Sequence, residues 1–257
     1  MPSSVRKPLK LGLANIWEKK MRLLEVDEVY KRFGGIPALE GVSLCVEQGS
    51  VHGVIGPNGA GKTTMFNIIN GVYGPDRGRV RFKGHDITAM RPNQIASLGI
   101  GRTFQVARVF NEMTLMENMM VPTIPKRLSK KEGERKAVDF LEMAGLIHLR
   151  DQPAVEISGG QKKLLEFVRT MMADPDVVLM DEPFAGVNPA LIERLIEITR
   201  ELNETKGKTF LLISHDIPSV MKLCRSLTVL SAGRSIAEGE SQGIRHDPVV
   251  IDAYLGH

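Results

Sequence analysis

The sequence is poor in cysteine, in aromatics, in long apolar runs and in charge of one sign, and each shortage excludes something. Its two cysteines, Cys45 and Cys224, lie far apart without metal-ligand spacing. That argues against a disulfide scaffold or a zinc site, and both read as buried thiols in a reducing compartment. No stretch approaches the roughly 18–20 consecutive apolar residues of a membrane-spanning helix. The first residues lack the unbroken apolar core of a secretory signal. There is no internal repeat and no low-complexity segment. The formal net charge is only +4, and it is unevenly placed. Residues 1–22 hold Arg6, Lys7, Lys10, Lys19, Lys20 and Arg22 against Glu18 alone, so the rest of the chain is close to neutral. A nearly neutral body is a poor nucleic-acid-binding surface, and no nucleic-acid partner is expected. Residues 1–22 read as a loosely ordered basic extension. Its Leu9, Leu11, Leu13, Ile16 and Trp17 also suit contact with anionic lipid headgroups.

What the sequence does have begins at residues 56–63, which read GPNGAGKT. This fits the phosphate-binding loop pattern of Gly, four residues, then Gly-Lys-Ser/Thr. VHGVIG before it reads as a buried strand, and TMFNIIN after it continues into a helix. That strand–loop–helix context is the one the motif needs. Backbone N–H groups of such a loop form a nest for phosphate oxygens. Lys62 would reach the terminal phosphates and the Thr63 hydroxyl would ligate magnesium.

The remaining pattern is that of an α/β chain. LLEVDEV, SLCVE and SVHGVI are short apolar runs separated by turns at Gly34-Gly35 and Gln48-Gly49. A helix is expected over about residues 62–70, then a strand in GRVRFKG. From about Gln105 to Met172 helical spacing takes over, with Ala137, Phe140, Leu141 and Ala144 on one face. DVVLMDE returns to strand, and Leu191, Leu195, Ile198 and Leu202 mark the helix after it. KTFLLIS is a further strand, a short helix follows at residues 217–223, and a hairpin is expected around Ala232-Gly233. Alternating strands and helices favour a mostly parallel sheet covered on both faces, with ligands at the carboxyl ends of the strands. Gly56, the pair Asp181-Glu182 and His215 each directly follow a predicted strand, so adjacent parallel strands would gather them at one edge.

Residues 177–182, VVLMDE, end an apolar strand in two carboxylates. Burying unpaired carboxylates is costly, so a cation or a reaction is expected there. Asp181 suits a magnesium partner through a water, and Glu182 a base that polarises the attacking water. Residues 157–161, ISGGQ, are a second glycine pair before a helix, able to bind an anion through backbone amides and the helix dipole.

The order GPNGAGKT, Gln105, ISGGQ, VVLMDE, His215 resembles the nucleotide-binding subunit of an ABC transporter over about residues 23–257. The resemblance implies a P-loop NTPase (RecA-like) core with a mostly parallel sheet, an antiparallel β subdomain, a helical subdomain at about 105–172 and a C-terminal tail at about 240–257. It implies ATP and Mg2+ as ligands, with Gly56, Pro57, Asn58, Gly59, Ala60, Gly61, Lys62, Thr63 and Thr64 around the phosphates. Phe33 matches the aromatic that stacks on adenine. Gln105 matches the glutamine that senses magnesium and water, and His215 the switch histidine. Ser158, Gly159, Gly160 and Gln161 match the signature that closes on ATP in trans, in a head-to-tail homodimer or a heterodimer with a paralogue.

Three segments resemble the ATPase subunits of branched-chain amino acid import systems: GIGRTFQVARVFNEMTLMENMMV, DEPFAGVNP and IAEGESQGIRHDPVVIDAYLG. Branches for urea, short amides and lipopolysaccharide share parts of them. The implied setting is the cytoplasmic face of the inner membrane, with separate permease subunits and a secreted substrate-binding protein. Met113, Met116, Met119 and Met120 are expected to offer an adaptable surface to a permease helix. Ile157 replaces the usual leucine of the signature, Asn188 an aspartate, and Ser214-His215-Asp216 a glutamate-first version. The alternatives are a soluble ABC ATPase acting on DNA or ribosomes, and a regulatory subunit that binds ATP without turnover.

Overall fold

Strand pairing here is set by which apolar runs are buried on both faces. The computed structural model describes residues 21–126 and 128–255, so most of the basic stretch 1–22 lies outside the described residues. In chain order it runs β1 (Arg22–Phe33), β2 (Ile36–Glu47), β3 (Val51–Ile55), α1 (Lys62–Ile69), β4 (Arg77–Phe82), β5 (His85–Asp86), α2 (Pro92–Ser97) and β6 (Ile100–Arg102). Then come α3 (Leu115–Met120), α4 (Thr123–Lys126), α5 (Lys130–Met143), α6 (Gly159–Met172), β7 (Val177–Asp181), α7 (Pro189–Lys206), β8 (Thr209–Ile213) and α8 (Ile217–Leu223). The β9 (Ser226–Ser231)–β10 (Arg234–Glu240) hairpin, α9 (Ser241–Ile244) and α10 (Pro248–Leu255) follow.

One sheet has the order β10-β9-β3-β8-β7-β6, parallel except for the β9–β10 pair. The other is antiparallel, β2-β1-β4-β5. In β7, Val177 and Leu179 join one core cluster while Val178 and Met180 join the other. Phe210 and Leu212 of β8 oppose Leu211 and Ile213 in the same way. Strands covered on both faces need no polar alternation, which is why VVLM and FLLI are unbroken apolar runs. One cluster packs α3 and α5–α8 on the large sheet; the other packs α1 and the antiparallel sheet on its opposite face.

The expected elements are present, and the hairpin turns at Ala232-Gly233, both at positive φ (46° and 76°). Ala137, Phe140, Leu141 and Ala144 are all buried. Strand β6 went unread because Gly101 lowers strand propensity. A Cβ on Gly101 would come within 2.8 Å of Thr170 Cγ2, so the glycine lets α6 lie against the strand. One expectation is corrected. Cys45 is half-buried, while Cys224 is buried with its thiol pKa pushed up by desolvation. In the methionine-rich stretch Met119 is buried, while Met113, Met116 and Met120 are half-buried. The capping box at Thr114 and Glu117 starts α3 so that Leu115 and Met119 point inward, and Met116 and Met120 pack against the same core.

His52 in β3 is 3% exposed, with its ring nitrogens 2.7 Å from Ser226 Oγ and 2.9 Å from Thr228 Oγ1 of β9. Desolvation lowers its pKa from 6.5 to about 4. The unfolded chain therefore binds a proton first, so this contribution is full above pH 6.5 and is lost as pH falls toward 4. It amounts to at most about 3 kcal/mol. Urea unfolding at pH 7 and pH 5 should show this loss in the wild type and a smaller one in His52→Gln; equal losses would contradict it.

Candidate nucleotide site

The carboxyl ends of β3, β8 and β7 lie side by side, because β8 pairs with both neighbours in parallel. Gly56 leaves β3, His215 follows β8 by two residues, and Glu182 directly follows β7. The sheet therefore gathers the three predicted loops at one edge.

The loop between β3 and α1 is tight. Gly56 has φ 153°, and a Cβ there would sit 2.0 Å from the Leu230 carbonyl oxygen. Gly61 caps α1 at φ 99°, where a Cβ would meet the Ala38 carbonyl at 2.6 Å. Without side chains at these points, the loop can pass between β2 and β9 into the helix start. A cleft of about 250 Å3 opens over it, lined by Asn58, Gly59, Ala60, Gly61, Lys62, Thr63 and Thr64, with Ala38, Gln105 and Glu182. Lys62 Nζ donates to the carbonyls of Gly56 (2.7 Å) and Pro57 (3.0 Å). Burial lowers its pKa from the ordinary lysine value, and the Glu182 and Asp181 carboxylates oppose that shift.

Asp181 is 3% exposed and pairs with Arg102 of β6, Nη2 to Oδ2 at 3.0 Å. Arg102 also donates to Asn67 Oδ1 of α1 at 2.8 Å. Asp181 Oδ1 remains buried without a hydrogen-bond partner. Glu182 holds φ 48°, a left-handed conformation that costs a non-glycine residue about 1–2 kcal/mol. Its Oε2 lies 2.8 Å from His215 Nδ1 and also accepts from the His215 backbone N–H at 3.3 Å. With the carboxylate ionised, Nδ1 must carry the proton.

Phe33 ends β1, 41% exposed and outside the 250 Å3 cleft lining. Tyr73 packs edge-on against it, centroids 5.2 Å apart. Ser158, Gly159, Gly160 and Gln161 do not reach the cleft of their own chain. Ser158 caps α6: its Oγ accepts from the Gln161 N–H (3.3 Å), and Gln161 Oε1 accepts from the Ser158 N–H (2.9 Å). Nothing stands within 4 Å of a Cβ placed on Gly159, so this helix start is open to an outside group. Asn188 caps α7, its Oδ1 accepting from the Leu191 N–H at 3.0 Å; asparagine serves there as well as aspartate. Asp216 caps α8 in the same way.

The sequence reading missed Ala38, Arg102, Tyr73, and the charged residues Lys163 and Glu166 of α6. At the other end of the chain, Tyr254 of α10 brings a buried, unpartnered hydroxyl toward the Gly56 N–H, its pKa pushed up to about 12 mainly by burial.

A glycine loop, a buried lysine and paired carboxylates at the edge of a parallel sheet define a P-loop nucleotide-binding protein. Residues 39–185 match the ABC transporter family, and the chain belongs to that family as one of its ATP-binding cassettes, an ATPase. Residues 234–257 also match the branched-chain amino acid ATP-binding cassette transporter family. The chain is 41% identical over 92% of its length to a probable branched-chain amino acid transport ATP-binding protein LivG of Archaeoglobus fulgidus, covering 96% of that protein. It is 38% identical to BraF of Pseudomonas aeruginosa, a high-affinity branched-chain amino acid transport ATP-binding protein, over 91% of this chain and 98% of that one. The ADP-bound cassette MJ1267 superposes with a TM-score of 0.82 at 38% identity, over 92% of this chain and all of that one. A dimeric cassette, MJ0796 with ADP and phosphate, gives 0.78 at 26% identity over 85% and 99%.

A magnesium ion fits the donors present. The orphaned Asp181 Oδ1 and the Thr63 hydroxyl are hard oxygens. Among the described residues no three His, Cys, Asp or Glu side chains form a metal cage.

The Arg102–Asp181 pair is buried on both sides, 6% and 4% exposed. Replacing one partner leaves an uncompensated buried charge, so Arg102→Met should lower the unfolding free energy by about 3–5 kcal/mol in urea titration. A loss below about 0.5 kcal/mol, the range of an ordinary surface change, would contradict this account.

Proposed function

We propose that this chain hydrolyses ATP to power import of branched-chain amino acids through a separate membrane permease, from the cytoplasmic face of the membrane. The observation that carries the substrate reading is the match of residues 234–257 to the branched-chain family, added to relatives of that name spanned almost end to end. Among the described residues no helix is long and apolar enough to cross a membrane, and in this reading the permease is a separate chain. Its contact is assigned to the face bearing the exposed apolar residues Val106, Phe110 and Ile124. A secreted binding protein would deliver the substrate to the permease. Residues 23–257 form the working cassette and residues 1–22 an appended extension.

In the proposed mechanism the phosphates enter the nest of residues 56–64, and Lys62 turns from the Gly56 and Pro57 carbonyls to the terminal phosphates. Phe33 stacks on the adenine. Ser158, Gly159, Gly160 and Gln161 of a second cassette, copy or paralogue, close over the γ-phosphate with open helix-start amides. Glu182 takes a proton from the attacking water as the bond to the leaving ADP breaks, and Gln105 orients that water. His215, hydrogen-bonded through Nδ1, holds the Glu182 carboxylate in place. Thr63, Gln105 and, through a water, Asp181 would hold a magnesium ion, which would supply neutralising charge to the phosphate oxygens.

Cells lacking this chain should take up labelled leucine, isoleucine and valine poorly. The wild-type chain should restore uptake and Glu182→Gln should not, with ATP hydrolysis by the purified variant reduced about 10²–10⁴-fold. Normal uptake without the chain would overturn the substrate reading; full hydrolysis by the variant would overturn the role of Glu182.

A further inference from the structure

Helix α6 is buried, yet it carries a stripe of charge. Leu164, Leu165, Phe167, Val168 and Met171 are core residues. Between them stand Lys163, Glu166 and Arg169, spaced by three and so on one helix face. Glu166 at its centre is 2% exposed, and Lys163 and Arg169 are half-buried. Burial pushes the Glu166 carboxyl up and the Lys163 and Arg169 cations down from their ordinary pKa values. Charges in such a place must be hydrogen-bonded, and these are bonded to the backbone of two loops. Lys163 Nζ donates to the carbonyls of Glu182 (2.8 Å) and Ala185 (2.7 Å). Glu166 accepts from the backbone N–H groups of Phe104 (3.2 Å) and Arg108 (2.7 Å), one on each side of exposed Gln105. Arg169 donates to the Arg108 carbonyl and to Asn118 Oδ1.

The same helix begins at Ser158, the cap of the segment that the proposed mechanism sets against a second cassette. Its first turn and its charged stripe therefore address different nucleotides in a head-to-tail pair. The first turn meets the partner's ATP, while the stripe holds the loops around this chain's own. We propose that Lys163 and Glu166 are positioning residues that fix the Glu182 and Gln105 loops to α6, so that engagement of its first turn sets the hydrolytic geometry next to its own phosphate loop. The inference rests on the proposed roles of Glu182 and Gln105. Charge-assisted hydrogen bonds to main-chain atoms suit this task. They set backbone position whatever the side chains of the loops do, and misplacement by about 1 Å costs heavily in rate.

Steady-state hydrolysis and equilibrium ATP binding, measured on the full chain, separate positioning from folding. Lys163→Met and Glu166→Gln should each lose about tenfold in kcat. The ATP dissociation constant should stay within about twofold, with one nucleotide bound per chain, because neither side chain lines the cleft. Lys163→Arg, which can still donate to both carbonyls, should recover kcat to within about threefold of wild type. Glu182→Gln is run alongside. If it is inactive while Lys163→Met and Glu166→Gln keep wild-type kcat, the positioning inference fails and the site reading stands. If Lys163→Met loses ATP binding with its activity and Lys163→Arg restores neither, the side chain supports the fold only and the inference also fails. If Glu182→Gln keeps full activity, the site reading fails and this inference falls with it.

Discussion

Lys62 is a buried residue whose ammonium bonds to the Gly56 and Pro57 carbonyls and holds the phosphate loop in shape. The surrounding site is arranged about that charge. The loop can pass there only because Gly56 and Gly61 carry no Cβ where Leu230 and Ala38 present their carbonyls. The strands on which it rests bring the compensating carboxylates, Asp181 and Glu182, to the same edge. A lysine bonded to two neutral carbonyls is satisfied but not neutralised. In the proposed mechanism phosphate oxygens would offer it full charge compensation.

Each carboxylate at the end of β7 has a different partner. Asp181 faces inward to Arg102, and one oxygen is left over. Glu182, one residue on, turns through a left-handed backbone to meet His215 at the mouth of the cleft. Two neighbouring acids are thereby held apart, one on an arginine and one on a histidine. Backbone strain retained at such a point is consistent with a functional constraint rather than with packing.

The large sheet was legible because its central strands are buried on both faces and read as apolar runs bounded by turns. The phosphate loop and the Asp-Glu strand end were legible because their chemistry is local. Long-range charge compensation was not. Arg102 sits on a three-residue, glycine-containing strand with no apolar signature, and its partner lies far along the chain. Lys163, Glu166 and Arg169 look like the solvated face of an amphipathic helix until the loops they hold are folded against them. The methionines of α3 are divided: flexible apolar side chains suit a docking surface and a core equally, and here Met119 is buried while Met116 and Met120 are half-buried.

Calorimetric titration of ATP into the purified chain with Mg2+ tests the central claim most directly. One nucleotide should bind per chain, and Lys62→Ala should weaken that binding by at least about tenfold, the loss of a charge-assisted contact. Saturating Mg·ATP that gives no binding to the wild type, or equal binding to the variant, would contradict the account.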